Sequence, residues 1–320
     1  MNASFAVNRR LSPLQSTDKN GVVTTRGKYL EYDNRISLRE PYFASWPVTL
    51  TTSLNVLKRA FTDFDADISK ISASFKRDLS RYFTGILEYS YERDNFENVN
   101  TKVFSIADQG IRYIGAVTPG IIFDSRNDKF NPSRGVISSN HLEVASEFFG
   151  SQSTIGYYRA VTDNSTYVKL FDDSVLAMAV NFGYERSNLR NQAIPPLKLF
   201  RLGGIGSVRG YTIDAIQVEA DQSGKNIYGT LAMYNYRAEL RTPISGSVGA
   251  ALFYDAGNLS VDKITPFKLR SSVGAGLRYN TPVGPVAVDL AWKLESEQAV
   301  GDTVVRDDSR YHVTFSIGSF

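Results

Sequence analysis

The sequence predicts an all-β fold, a transmembrane antiparallel β-barrel with about fourteen visible strands. Three observations carry that expectation. Alternation of apolar and polar residues with period two recurs from end to end. Many alternating segments run ten residues or more, the length a tilted strand needs to cross a bilayer. The connections between them fall into a long set and a short set, as in barrels with long outer loops and short periplasmic turns.

The alternation is plainest in four stretches. In 48–56, Val48, Leu50, Leu54 and Val56 oppose Thr49, Thr51, Ser53 and Asn55. In 271–280, Val273, Ala275, Leu277 and Tyr279 oppose Ser272, Gly274, Gly276 and Arg278. In 286–293, Val286, Val288, Leu290 and Trp292 oppose Ala287, Asp289, Ala291 and Lys293. In 311–317, Tyr311, Val313, Phe315 and Ile317 oppose His312, Thr314 and Ser316. A soluble sandwich also alternates, but its strands usually run about 5–6 residues. The expected strands begin near Asn2, Lys28, Pro47, Phe64, Arg81, Ile111, Arg134, Ser153, Ser174, Ile227, Gly246, Lys268, Gly284 and Ser309. The fourth, over 64–78, alternates poorly and its register is left open.

The long connections are expected at 12–27, 95–110, 188–226, 259–267 and 298–308. The short ones fall around 79–80, 171–173, 243–245 and 280–283, with 41–46 and 125–133 of moderate length. This parity places the C-terminus on the periplasmic side. The connection over 188–226 holds Pro195-Pro196, Gly203-Gly204, Gly206 and Gly210 and few apolar pairs. Loops this long are usually functional.

Bulk composition agrees. The 320 residues carry a formal charge of +3, which suggests no nucleic-acid partner. There is no Cys, which suits transit through an oxidising envelope, and Tyr (18) and Phe (19) are abundant. No run approaches the roughly 20 apolar residues of a spanning helix. The N-terminus lacks the apolar core and cleavage site of a signal peptide.

Four motifs resemble one family. Phe200-Arg201-Leu202-Gly203-Gly204-Ile205-Gly206-Ser207-Val208-Arg209-Gly210-Tyr211 is similar to the signature of the outer-membrane insertase superfamily, which holds BamA, TamA, organelle relatives and two-partner secretion transporters. Phe253-Tyr254-Asp255-Ala256-Gly257 resembles its Phe-x-Asp-x-Gly strand motif. Gly274 to Tyr279, followed by Thr281 to Pro285, resembles its late hairpin, and Asp124-Ser125-Arg126 through Pro132-Ser133-Arg134-Gly135 a periplasmic turn. The resemblance covers roughly 124–320.

It implies a barrel domain over 1–320 whose loop 188–226 folds back into the lumen, with Gly203, Gly204, Val208, Arg209, Gly210 and Tyr211 as the signature. Phe253, Asp255 and Gly257 are the implied lumen partners, and Arg209 pairs with Asp255. Parity alone puts Asp255 opposite Val248, Ala250, Leu252 and Tyr254, so it points into the lumen, where a charge needs a partner. Glycine beside Arg209 is expected to allow a tight turn. The family's barrels have sixteen strands, so two strands and the periplasmic transport-associated domains are expected to precede this sequence.

The last strand, with Tyr311, Phe315, Gly318 and Phe320, is the expected lip of a gate. Gly318 interrupts its alternation, and the terminal Phe320 is similar to the signal by which assembly machinery recognises barrel clients; the plain alternative is a girdle aromatic. The implied function is insertion or assembly of other outer-membrane proteins, with unfolded clients, the lipid bilayer, transport-associated domains and accessory subunits as partners and the bacterial outer membrane as location. The alternatives are a two-partner secretion pore and a passive porin.

No cofactor, metal or catalytic role is expected. The histidines, His141 and His312, sit on lumen-facing parity; Ser138 and Ser139 lie near His141 without an oriented acid. Asp63, Asp65 and Asp67 lack the glycine and distal glutamate of a calcium loop.

Overall fold

A computed structural model of the chain describes residues 2–17, 23–60, 64–98, 110–189, 194–218, 230–281, 284–294, 299–300, 303–305 and 309–317. The strands are β1 (Asn2–Thr17), β2 (Val23–Glu40), β3 (Thr49–Ala60), β4 (Asp65–Asp78), β5 (Phe83–Glu97), β6 (Gly110–Asp124), β7 (Gly135–Ala145), β8 (Tyr157–Lys169), β9 (Val175–Ser187), β10 (Ile216–Val218), β11 (Thr230–Ser245), β12 (Val248–Val261), β13 (Arg270–Thr281), β14 (Gly284–Lys293), β15 (Ala299–Val300), β16 (Thr303–Val305) and β17 (Tyr311–Ile317). Fourteen of them form one antiparallel sheet in the order β1 to β9, β11 to β14, β17. These are the fourteen segments that the alternation marks out.

The wall is built on the lipid side as alternation requires. Three rows of cross-strand neighbours run across β12, β13, β14 and β17: Tyr254–Val273–Trp292–Tyr311, Leu252–Ala275–Leu290–Val313 and Ala250–Leu277–Val288–Phe315. Leu252, Leu277 and Phe315 are each about 60% exposed (63%, 60% and 60%), with no protein to cover them. In water such a surface would aggregate; here the bilayer takes the place of a core. At the short-turn end Tyr42, Trp46, Tyr82, Phe130 and Phe171 stand exposed as an interfacial aromatic girdle. Leu252→Arg puts a guanidinium in mid-bilayer and should lower stability in vesicles by about 2–4 kcal/mol. Urea titration of the vesicle-embedded barrel checks this, and an unchanged midpoint would place Leu252 away from lipid.

Three expectations are corrected. The connection placed at 12–27 is largely strand: β1 and β2 stay paired from Ser12↔Tyr29 to Thr17↔Val23. The connection at 259–267 begins later, because β12 runs to Val261 opposite Leu231. The connection at 298–308 carries the hairpin β15–β16, and β16 pairs with β10 of the long loop, Ile216↔Val305 to Val218↔Thr303. These last pieces are two or three residues long, too short for periodicity to reveal.

The open register of β4 also resolves. Ile71 faces lipid at 51% exposure, whereas Phe64, Ala66 and Ile68 are buried on the inner side with Phe96, against Leu197 and Leu199. Alternation fades there because the apolar residues change face along the strand: Phe64, Ala66 and Ile68 turn inward to the long loop, whereas Ile71, Ala73 and Phe75 turn outward to lipid.

Candidate functional site

The long loop lies on the inner wall. Its two arms are tied by reciprocal hydrogen bonds between Leu202 and Ile216 (3.0 and 2.9 Å) and by Gly204 N–H to the Tyr211 carbonyl (2.8 Å). Between them, Ser207 Oγ accepts from Gly203 N–H at 2.7 Å. Gly203 (φ 121°) and Gly204 (φ 86°) hold left-handed conformations that a side chain would strain. Phe200, Leu202, Val208, Tyr211, Ala215 and Ile216 are buried against Leu231 and Leu259 of the wall. The expectation of few apolar pairs in this loop is therefore wrong. Full burial of each large side chain is worth about 1.5–3 kcal/mol, so the loop has a core of its own.

Arg209 stands at the tip, 3% exposed. Its Nε and Nη2 donate to the two oxygens of Asp255 at 2.7 and 2.8 Å, and its backbone N–H adds a third bond at 3.2 Å. Its Nη1 reaches Glu239 at 2.6 Å and Asp289 at 3.1 Å. The guanidinium also lies 3.4 Å from the Phe253 ring centroid. Phe253 has room to lie there because residue 274 is glycine: a Cβ on Gly274 would sit 2.2 Å from the ring. The strand motif thus supplies an acid, an aromatic platform and, through Gly257, clearance, since a Cβ there would press on Leu202 and Val208 at 3.0 and 3.2 Å.

Glu239 and Arg278 complete this cluster, and the sequence reading missed both. Glu239, 2% exposed, also accepts from Arg241 and Arg278, each at 2.9 Å. Inward parity on β11 and β13, next to Asp255 and Asp289, was the available signal. Beneath the tip lies a cavity of about 360 Å³ walled by Arg237, Arg241 and Arg278 and reaching the short turns at Asn131 and Pro243.

Gly210 lies in the expected tight turn, which Tyr211 N–H closes on the Val208 carbonyl at 3.1 Å, and it also meets a demand for space. Its φ is ordinary, but a Cβ would lie 2.5 Å from Ser272 Cβ, and its N–H donates to Ser272 Oγ at 3.1 Å. It permits close approach to β13. Gly210→Ala should push the tip off the wall and destabilise by about 1–3 kcal/mol. Adding Ser272→Gly should recover part of that loss in thermal unfolding; no recovery would mean the contact is not limiting.

A second anchor lies on the opposite wall. Lys198 Nζ meets Glu92 at 2.8 Å and Glu143 at 4.0 Å. Burial works against its ammonium, but Glu92, Glu143 and Asp94 outweigh that and hold its pKa above the ordinary lysine value. Tyr157 donates to Glu143 as well. Two residues on, Phe200 N–H donates to Glu185 at 3.3 Å, and the Arg159 guanidinium covers the Phe200 ring at 4.6 Å. Phe200 fits because a Cβ on Gly183 would lie 2.5 Å from its ring. Inward acids on every second strand, β5, β7 and β9, with a lysine early in the loop, were the missed signal.

The other candidates do not join this site. Tyr311 and Phe315 face lipid on β17, and Gly318 and Phe320 lie outside the described residues. Ser138 bonds Asn164 at 2.7 Å on the face away from His141. Asp67 pairs with Lys58 at 3.3 Å and Asp65 accepts from Asn98 at 2.6 Å, while Asp63 lies outside the described residues. Among the described residues no cluster of three or more His, Cys, Asp or Glu could hold a metal.

A membrane barrel whose own long loop packs on the inner wall, pinned at an Arg-Gly-Tyr tip, defines a class of outer-membrane protein. The chain belongs to the Omp85 superfamily, whose domain model matches residues 17–320, and its place is the bacterial outer membrane. The outer membrane protein assembly factor BamA of Neorickettsia risticii is 27% identical over 196 residues, 58% of this chain and 25% of that protein. BamA of Neisseria meningitidis serogroup B is 27% identical over 199 residues, 52% of this chain and 24% of that protein. The chain thus spans about a quarter of the length of the curated relatives it matches. The crystal structure of BamA from Haemophilus ducreyi lacking POTRA domains 1-3 aligns with a TM-score of 0.71 at 17% identity, over 99% of this chain and 70% of that one, and shares its fold.

Proposed function

We propose that this barrel assembles or inserts other outer-membrane β-barrel proteins, the role its relatives are named for, with unfolded client chains as substrates and periplasmic transport-associated domains and accessory subunits as partners. The observation that carries the reading is the Arg209-pinned loop, set against β11 to β14 beside the last strand. A plugged lumen is ill suited to passive diffusion, so the substrate path is the wall. Among the described residues β17 is laddered to β14 alone, and its other edge offers backbone donors and acceptors to an incoming strand. In this reading Tyr311 and Phe315 belong to the gate lip, with Gly318 and Phe320 beyond them.

Proteoliposomes containing the folded chain should speed the folding of a urea-denatured barrel client, followed by heat-modifiable gel mobility. Arg209→Ala should lose that gain. A folded, inserted chain that gives no acceleration over empty vesicles would overturn the reading, as would a large, steady open-channel conductance.

A further inference from the structure

The outer wall carries a charge that the lumen machinery does not use. Arg186 is the next-to-last residue of β9, at the long-loop end, on the face shared with Met178 and Val180. It is exposed, and among the described residues it has no hydrogen-bond or ion-pair partner. Lys58, on the same face of β3, is answered by Asp67. An unanswered guanidinium facing lipid is costly in mid-bilayer and tolerable only at the interface.

Arg186 also borders a groove of about 550 Å³, formed by Leu142, Tyr158, Ala160, Tyr184, Ser187 and Asn188. Registration explains the groove. Tyr158 stands opposite Arg186, while Ala160 stands opposite both Leu142 and Tyr184, so a small residue forms the floor between three large ones. Asn188 closes the upper end, held by its N–H to the Gly156 carbonyl at 3.1 Å.

We infer that this groove binds a phosphate-bearing lipid of the outer leaflet, its phosphate on Arg186 and one acyl chain over Ala160 between Leu142 and Tyr184. Guanidinium matches phosphate geometry with paired N–H donors. The aromatic walls suit the boundary between headgroup and acyl chain, where tyrosine partitions. Nothing acidic lines the groove, so the charge complement must come from the ligand.

The folded chain, purified in dodecyl maltoside, would be titrated with dioleoyl phosphatidic acid and with dioleoyl phosphatidylcholine, and retained lipid counted by native mass spectrometry. Phosphatidic acid should be retained in preference. Arg186→Gln should lower that retention about tenfold, the loss of a paired charge-assisted contact. Ala160→Trp, which fills the floor, should lower it with Arg186 intact. Arg93→Gln, an outward cation on β5 that does not line this groove, should leave it unchanged. Unaltered heat-modifiable mobility would show each variant folded. Equal retention of both lipids, equal losses from Arg93→Gln and Arg186→Gln, or no loss from either groove variant would overturn the proposal. Displacement by inorganic phosphate at matching concentration would also overturn it, by reassigning Arg186 to a soluble anion.

Discussion

Arg209→Ala should cost the folded barrel about 3–5 kcal/mol, the usual penalty for stripping the partner from buried charges. Asp255, Glu239 and Asp289 are 0%, 2% and 3% exposed, and all three lose a guanidinium at once. Asp255→Ala should cost less, because Arg209 keeps Glu239 and Asp289. The double variant should be hardly worse than Arg209→Ala alone, since the groups act as one unit. Denaturant unfolding in vesicles measures the stabilities, and proteolysis of the loop reports its release. Fully additive losses would mean that the two residues do not share an interaction in the membrane.

Lys198→Ala should release the other arm. The Lys198 side chain is 15% exposed and that of Glu92 6%, so the loss should be about 3 kcal/mol. The effect should be local. Hydrogen exchange should rise over 194–202, where Phe200 and Leu202 are held, while the Arg209 tip stays protected. Lys198→Arg should restore much of the protection, because its charge can still answer Glu92 and Glu143. Exchange that rises equally at the tip would show one cooperative unit instead of two anchors.

The barrel was legible because lipid contact imposes a simple rule on every strand. Leu252, Leu277 and Phe315 had to be apolar and their neighbours did not, so alternation and register followed. The rule fails where a strand has a second apolar neighbour, as at Phe64, Ala66 and Ile68 under Leu197 and Leu199. It is also silent on elements as short as β10, β15 and β16. In the site, parity placed Asp255 in the lumen, and the family motif brought Arg209 to it. Glu239, Arg278 and Lys198 stayed hidden because the contacts that join Glu239 to Arg209, Arg278 to Glu239 and Lys198 to Glu92 span 30 to 106 residues, outside any local pattern. At Gly210 local sequence suggests the turn, which Tyr211 N–H closes on Val208, but only Ser272, 62 residues on, shows the further constraint of space.

The two anchors differ in which part of the chain they consult. Lys198 and Phe200 bind acids that precede the loop, Glu92, Glu143 and Glu185, whereas Arg209 binds acids that follow it, Glu239, Asp255 and Asp289. In chain order, the first clasp needs only strands that precede the loop. The second must wait for β11 to β14. Once the first is shut, the tip is already confined beside the wall on which those strands will form, and less loop-closure entropy remains to oppose the second. The loop is thus a two-stage fastener that joins the early half of the barrel to the late half.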